Sequence, residues 1–227
     1  MTNSEIMQSI KGGLIVSCQA LPEEPLHSSF IMGRMAYAAM LGGAKGIRAN
    51  TPEDITEIKK NVSLPVIGIV KKNFDNSEVF ITPTTELVDS LVSVGCEIIA
   101  MDATFRKLPD GRTIWEMFPE LRDKYPDQLF MADCASYENG IEAAKLGFDI
   151  VGTTLYGYTR DPIPCPAPNY ELICSLVRDA GVPVIAEGGI WSPRQLRQAM
   201  DCGVHACVVG SAITRPYEIT KRYAAVL

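Results

Sequence analysis

Residues 182–190 read Val182-Pro183-Val184-Ile185-Ala186-Glu187-Gly188-Gly189-Ile190. A short apolar run from Val184 ends on a carboxylate, Glu187, and then on two glycines. That is poor core material but good site material, because glycine lets peptide N–H groups come close to a ligand. A second stretch opens the same way, Leu64-Pro65-Val66-Ile67-Gly68-Ile69-Val70-Lys71, and ends on a lysine. Both read as short buried strands that stop on a charge.

Working outward, the unit repeats. Gly13–Gln19, Gly46–Ala49, Val66–Lys71, Glu97–Asp102, Gln128–Asp133, Phe148–Thr154, Val184–Glu187 and His205–Val209 read as strands. Helical spacing separates them: Phe30–Leu41, a helix opening at Thr51-Pro52-Glu53-Asp54 with Thr51 or Asn50 as cap, Thr84–Val94, Thr113–Lys124, Ser136–Leu146, Asn169–Ala180, Pro193–Met200 and Thr214–Val226. Glycines at 95 and 147 stop two of these helices, and proline with acids in the first turn starts another. Strand then helix, eight times, predicts an α/β fold, a (β/α)8 TIM barrel, as one domain over residues 1–227. A doubly wound sheet is the alternative, but it needs fewer strands or a second domain.

The chain has 227 residues, 47% hydrophobic and 21% charged, with a net charge of −6. Its acidic pI of about 5.0 argues against nucleic acid or an anionic membrane surface as partner. No apolar run approaches the ~20 residues of a membrane span, and Met1 to Lys11 is polar, so a cytoplasmic, membrane-free protein is expected. Seven cysteines without C-x-x-C spacing read as reduced, mostly buried thiols. Two histidines, His27 and His205, are too few for a histidine-rich metal site or for serine–histidine chemistry, so no metal is expected. His27 reads as a surface loop residue and His205 as structural.

In such barrels the C-terminal strand ends build the site. They are Gln19, Arg48, Lys71, Asp102, Asp133, Thr153 with Thr154, Glu187, and Gly210 with Ser211. Strands three and seven lie opposite one another in a ring of eight. Lys71 is six residues past Pro65 and Glu187 four past Pro183, so the two-residue period points both side chains inward. An acid or base on each face of a substrate follows, or else a plain ion pair across the mouth. Burial would lower the pKa of Lys71 towards that of a working base. Gly188 and Gly189 after strand seven, Gly210 and Ser211 after strand eight, and Arg215 beyond them fit the phosphate cradle of these barrels. Arg48 reads either as a ligand for substrate oxygens or as the partner of Asp133. Asp102 reads as a cap or a tuning neighbour, and Cys18 and Cys134 as buried thiols.

The stretches Gly13-Leu-Ile-Val-Ser-Cys-Gln-Ala-Leu21, Gly46-Ile-Arg-Ala-Asn50, Pro65-Val-Ile-Gly-Ile-Val-Lys71, Met131-Ala-Asp133, Gly147-Phe-Asp149, Gly152-Thr-Thr154, Val184-Ile-Ala-Glu-Gly188 and Val209-Gly-Ser-Ala-Ile-Thr-Arg-Pro216 carry a resemblance. The sequence resembles the N-acetylmannosamine-6-phosphate 2-epimerase family of sialic acid breakdown. The resemblance implies Lys71 and Glu187 as catalytic acid/base residues and Gln19, Arg48 and Asp133 as holders of the amino sugar. Thr153 stands with them as a substrate-binding candidate at the end of strand six. The glycine loops with Arg215 would hold phosphate, with no cofactor or metal, in a homodimer paired through terminal helices. The proline-rich loop from Tyr158 to Pro168 departs from the family pattern and bears on how strand six closes the site. Two alternatives stay open: a Schiff-base aldolase or lyase using Lys71, and a non-catalytic phosphosugar sensor.

Overall fold

A computed structural model describes residues 1–159 and 165–227. In chain order the elements are α1 (Asn3–Ile10), β1 (Gly13–Cys18), α2 (Ser29–Leu41), β2 (Gly46–Asn50), α3 (Pro52–Asn61), β3 (Val66–Ile69), α4 (Thr85–Ser93) and β4 (Ile98–Asp102). They continue with α5 (Ile114–Lys124), β5 (Leu129–Asp133), α6 (Tyr137–Leu146), β6 (Ile150–Gly152), α7 (Tyr170–Asp179), β7 (Val184–Glu187), α8 (Pro193–Asp201), β8 (Ala206–Val209), α9 (Ser211–Thr214) and α10 (Pro216–Ala224). Each strand pairs in parallel with the next, and β8 pairs back to β1 through Val208 opposite Ile15, so the barrel closes.

The two-residue period of each strand divides the core in two. Ile15, Ile67, Ile69, Ile98, Ala100, Met131, Ile150, Ile185, Ala206 and Val208 fill the barrel interior. The alternate residues, among them Val16, Ile47, Val66, Ile99, Phe130 and Val184, pack outward against the helices. The outer layer is tightest where Phe118 of α5 stacks on Phe148 at 3.8 Å and meets Phe130 edge-on at 5.3 Å.

Local chemistry explains the helix starts. Thr51, not Asn50, caps α3: its hydroxyl accepts from Asp54 N at 3.3 Å, and Pro52 opens the helix. Ser136, Asn169 and Ser192 cap α6, α7 and α8 in the same way.

Four expectations need correction. Strand three ends at Ile69, so Lys71 lies just past it, in an isolated antiparallel bridge with Ile81. Strand six shrinks to three residues, because the chain turns at Thr153. The closing helix opens at Pro216 rather than Thr214, and a short helix, α9, precedes it, since Pro216 lacks the N–H that would join the two. The cysteines are not all reduced: Cys174 on α7 and Cys202 at the end of α8 form a disulfide, as the helices pack side by side. Of the proline-rich loop, Pro162 and Pro164 lie outside the described residues.

Phe118→Ala should cost about 3–5 kcal/mol of stability, since it removes a fully buried ring from a stacked cluster. Urea unfolding measures this; a loss under 1 kcal/mol would contradict the packing described.

Candidate active site

The C-terminal ends of the strands open into a cavity of about 240 Å³. Continuing the inward face of each strand by one or two steps brings Gln19, Arg48, Lys71, Thr154 and Glu187 to its wall. Asp133, the inward residue at the end of β5, is wholly buried behind Arg48.

Arg48 is the hub. Its side chain is 1% exposed and lies between two carboxylates. Nη1 and Nη2 donate to Asp133 Oδ1 and Oδ2 at 3.1 and 2.5 Å, and Nη1 also donates to Glu187 Oε2 at 2.9 Å. Arg48 is thus the partner of Asp133, one of its two sequence readings, and it also lines the cavity. Its Nε and the Oε1 of Gln19 are buried and find no partner among the described residues. Gln19 is oriented by Ser17, whose hydroxyl accepts from Gln19 Nε2 at 2.8 Å.

Burial opposes the charge on Arg48, but Asp133 and Glu187 more than offset it and raise its pKa. Glu187 is the carboxylate that yields. Burial pushes its pKa up and Asp133 adds to the push, against the pull of Arg48 and Lys71. A carboxyl so placed can carry a proton closer to neutral pH than an ordinary glutamate. Thr154 joins the cluster, its Oγ1 donating to Asp133 Oδ1 at 2.5 Å and lying 3.3 Å from Glu187 Oε2.

Lys71 faces this cluster from across the ring. It makes no ion pair with Glu187, so the plain Lys–Glu bridge is absent; no protein acceptor lies within reach of its amine among the described residues. Burial, then Arg48 and Arg215, lower its pKa to about 8. Roughly a tenth of the amine is then neutral at pH 7, a few hundred times the fraction of an ordinary lysine.

The far wall is the glycine cradle. Gly188, Gly189, Gly210 and Ser211 line the cavity with Arg215. Their four backbone N–H groups find no protein acceptor among the described residues. Gly188 and Gly189 have φ of 105° and 69°, and a side chain at Gly189 would also overlap the backbone of Ala167. Only glycine lets this turn lie open to a ligand. Arg215 reaches Glu24 of the first loop at 3.1 Å, so one charged hand of the cradle is already steadied.

Other candidates fall elsewhere. Thr153 does not face the cavity: its hydroxyl donates to Glu187 O at 2.9 Å and accepts from Glu187 N at 3.1 Å, pinning β7. Thr154 takes the place expected of it, as counting in twos from Ile150 would have shown. Asp102 binds Arg106 at 2.6 Å and Thr104 at 2.7 Å beside the cavity. Burial pushes Cys18 up to about 12 and Cys134 well above its ordinary value, so neither is a nucleophile. His27 is exposed, and His205 bonds the backbone of Met7 on the opposite face. Trp191, which sequence reasoning passed over, lines the cavity just after the glycine pair, and Arg222 of α10 stacks on its ring at 3.4 Å.

A closed (β/α)8 barrel with a low-pKa lysine facing a carboxylate, and an open glycine cradle beside them, defines the class: a barrel enzyme of proton-transfer chemistry. Comparison narrows the class. Residues 32–227 match the NanE family model, provisionally described as N-acetylmannosamine-6-phosphate epimerase, and the chain belongs to that family. A structure reported as the N-acetylmannosamine-6-phosphate 2-epimerase from Clostridium perfringens superposes with a TM-score of 0.93 at 51% identity, over 98% of this chain and 96% of that one. A relative from Caldanaerobacter subterraneus, provisionally named N-acetylmannosamine-6-phosphate 2-epimerase, is 53% identical over 96% of this chain and 92% of its own. One from Listeria monocytogenes, with the same provisional name, is 50% identical over 98% of this chain and 94% of its own.

Arg48→Gln should destabilise the fold by about 3–5 kcal/mol, because it leaves two buried carboxylates without their counter-charge. Glu187, already raised by burial and now without the pull of Arg48, would bind its proton still more readily when folded than when unfolded. The deficit should be largest above the carboxylate range and shrink as pH falls. Urea melts at pH 5 and pH 8 check the sign; an equal loss at both would contradict it.

Proposed function

We propose that the chain interconverts N-acetyl-D-mannosamine 6-phosphate and N-acetyl-D-glucosamine 6-phosphate by removing and returning the proton on carbon 2. The observation that carries the proposal is Lys71, without a partner for its amine among the described residues, at the cavity wall facing the Arg48-held Glu187; burial, with Arg48 and Arg215, lowers its pKa to about 8. Family membership supports the same substrate pair.

Carbon 2 of the open-chain sugar adjoins the C1 aldehyde, so its C–H is acidic. The neutral amine of Lys71 takes the proton, the C–H electrons form the C1–C2 double bond, and the carbonyl oxygen becomes an enolate. Return of a proton to the opposite face restores the aldehyde and inverts the centre with no net redox change. Glu187, its pKa raised, is placed to serve the second face. Arg48 and the newly formed Lys71 ammonium favour the enolate charge. Gln19 and Arg48, which line the cavity, hold the sugar, and the glycine cradle with Arg215 takes the phosphate.

The reading extends to the setting. The substrate is an intermediate of sialic acid breakdown, which puts the protein in the cytoplasm. Among the described residues no helix is long and apolar enough to cross a membrane. A homodimer would cover α10, which has no buried residue and exposes Tyr217 and Tyr223.

Lys71→Ala should cut epimerisation by about 10²–10⁴-fold while substrate still binds. In the wild type, kcat/KM should rise with pH through about 8 as Lys71 loses its proton. Retained turnover in Lys71→Ala would overturn the assignment, and borohydride trapping of substrate on Lys71 would favour the lyase instead.

A further inference from the structure

Lys71 lies past the last residue of β3, so the strand ladder does not hold it. Its surroundings do. Lys71 N donates to Asn50 Oδ1 at 2.8 Å, and Asn50 is 4% exposed. One residue earlier, Val70 N donates to Thr82 Oγ1 at 3.1 Å and Val70 O accepts from Thr82 N at 2.8 Å. One residue before that, Ile69 O accepts from Thr51 N at 2.9 Å.

Thr51 and Thr82 have φ of 66° and 46°, and among the described residues they alone adopt positive φ without being glycine. A β-branched residue is disfavoured there, and such outliers persist only where the surroundings impose them. Both outliers bond the two residues that precede Lys71, from opposite sides of the strand. Asn50 has the side chain to cap α3, yet Thr51 does that, leaving the Asn50 carbonyl for Lys71.

We infer that Asn50 is a positioning residue for Lys71, and that the turns at Thr51 and Thr82 complete a backbone clamp that aims its amine into the cavity. The inference rests on the proposed reading of Lys71 as the base. Arg48 from β2, Asp133 from β5, Glu187 from β7 and Arg215 between α9 and α10 are the charges that act on that amine. A charge at position 50, bonded to the Lys71 backbone, would join them.

The test compares Asn50→Asp, which keeps the acceptor and adds a negative charge, with Asn50→Leu, which removes the acceptor at similar volume. Lys71 is titrated by NMR in protein labelled with ¹³C-lysine, and kcat and KM are measured against pH. In Asn50→Asp the Lys71 titration and the rising limb of kcat/KM should move together to higher pH, with kcat above that limb within about threefold of wild type. In Asn50→Leu kcat should fall 10- to 100-fold at every pH with KM within about twofold. If the titration moves and the limb stays, the clamp stands and the base reading of Lys71 fails. If neither moves and Asn50→Leu keeps wild-type kcat, the positioning role is overturned. Should the Asn50 variants fail to fold, Thr82→Ser and Thr82→Val decide: kcat kept by the first and lost by the second supports the clamp, and equal kcat overturns it.

Discussion

The site depends on one buried guanidinium. Arg48 sits between Asp133 and Glu187, almost wholly out of water, and binds both. Removing three charged groups from solvent is costly, and such a cluster adds little to stability even when its hydrogen bonds are good. What it supplies is arrangement. Asp133, itself bonded by Thr154, holds the guanidinium, Thr153 grips the backbone of Glu187, and the Glu187 carboxyl is left at the cavity wall.

The same positive charge acts across the ring. After burial, Arg48 and Arg215 do most to lower the pKa of the Lys71 amine. One residue therefore presents the carboxylate and helps to depress the lysine. Burial favours a proton on Glu187, with Asp133 adding to it, and disfavours one on Lys71. Groups whose surroundings push their pKa values toward each other suit the passing of a proton through a bound substrate. The glycine cradle follows β7 and β8, and its Arg215 ties it to the lysine as well as to Glu24 of the first loop.

Much of this was legible because strands have a period of two. Lys71 and Glu187 could be placed facing inward from their distance to two prolines, and the eightfold alternation carried the barrel. The failures have physical reasons. Thr153 and Thr154 both stand at the end of strand six, and the count in twos from Ile150 that selects Thr154 needs the inward face to be known. Asn50 was weighed only as a helix cap, since nothing local says that the next strand ends beside it. The Cys174–Cys202 bond depends on how α7 and α8 pack, which no spacing records. The break at Pro216 was readable from its missing N–H and was overlooked. Strain at Thr51 and Thr82 is invisible in sequence, because threonine is an ordinary residue in an ordinary loop until its φ is known.

The central claim is that the proton on carbon 2 passes through protein groups at this cavity. N-acetylmannosamine 6-phosphate incubated with the protein in heavy water and followed by proton NMR tests it most directly. The account predicts that the gluco product appears with deuterium at carbon 2 and that the C2–H signal of both epimers fades as equilibrium is reached. Product that keeps its original protium throughout, or a substrate that is neither exchanged nor converted, would contradict it.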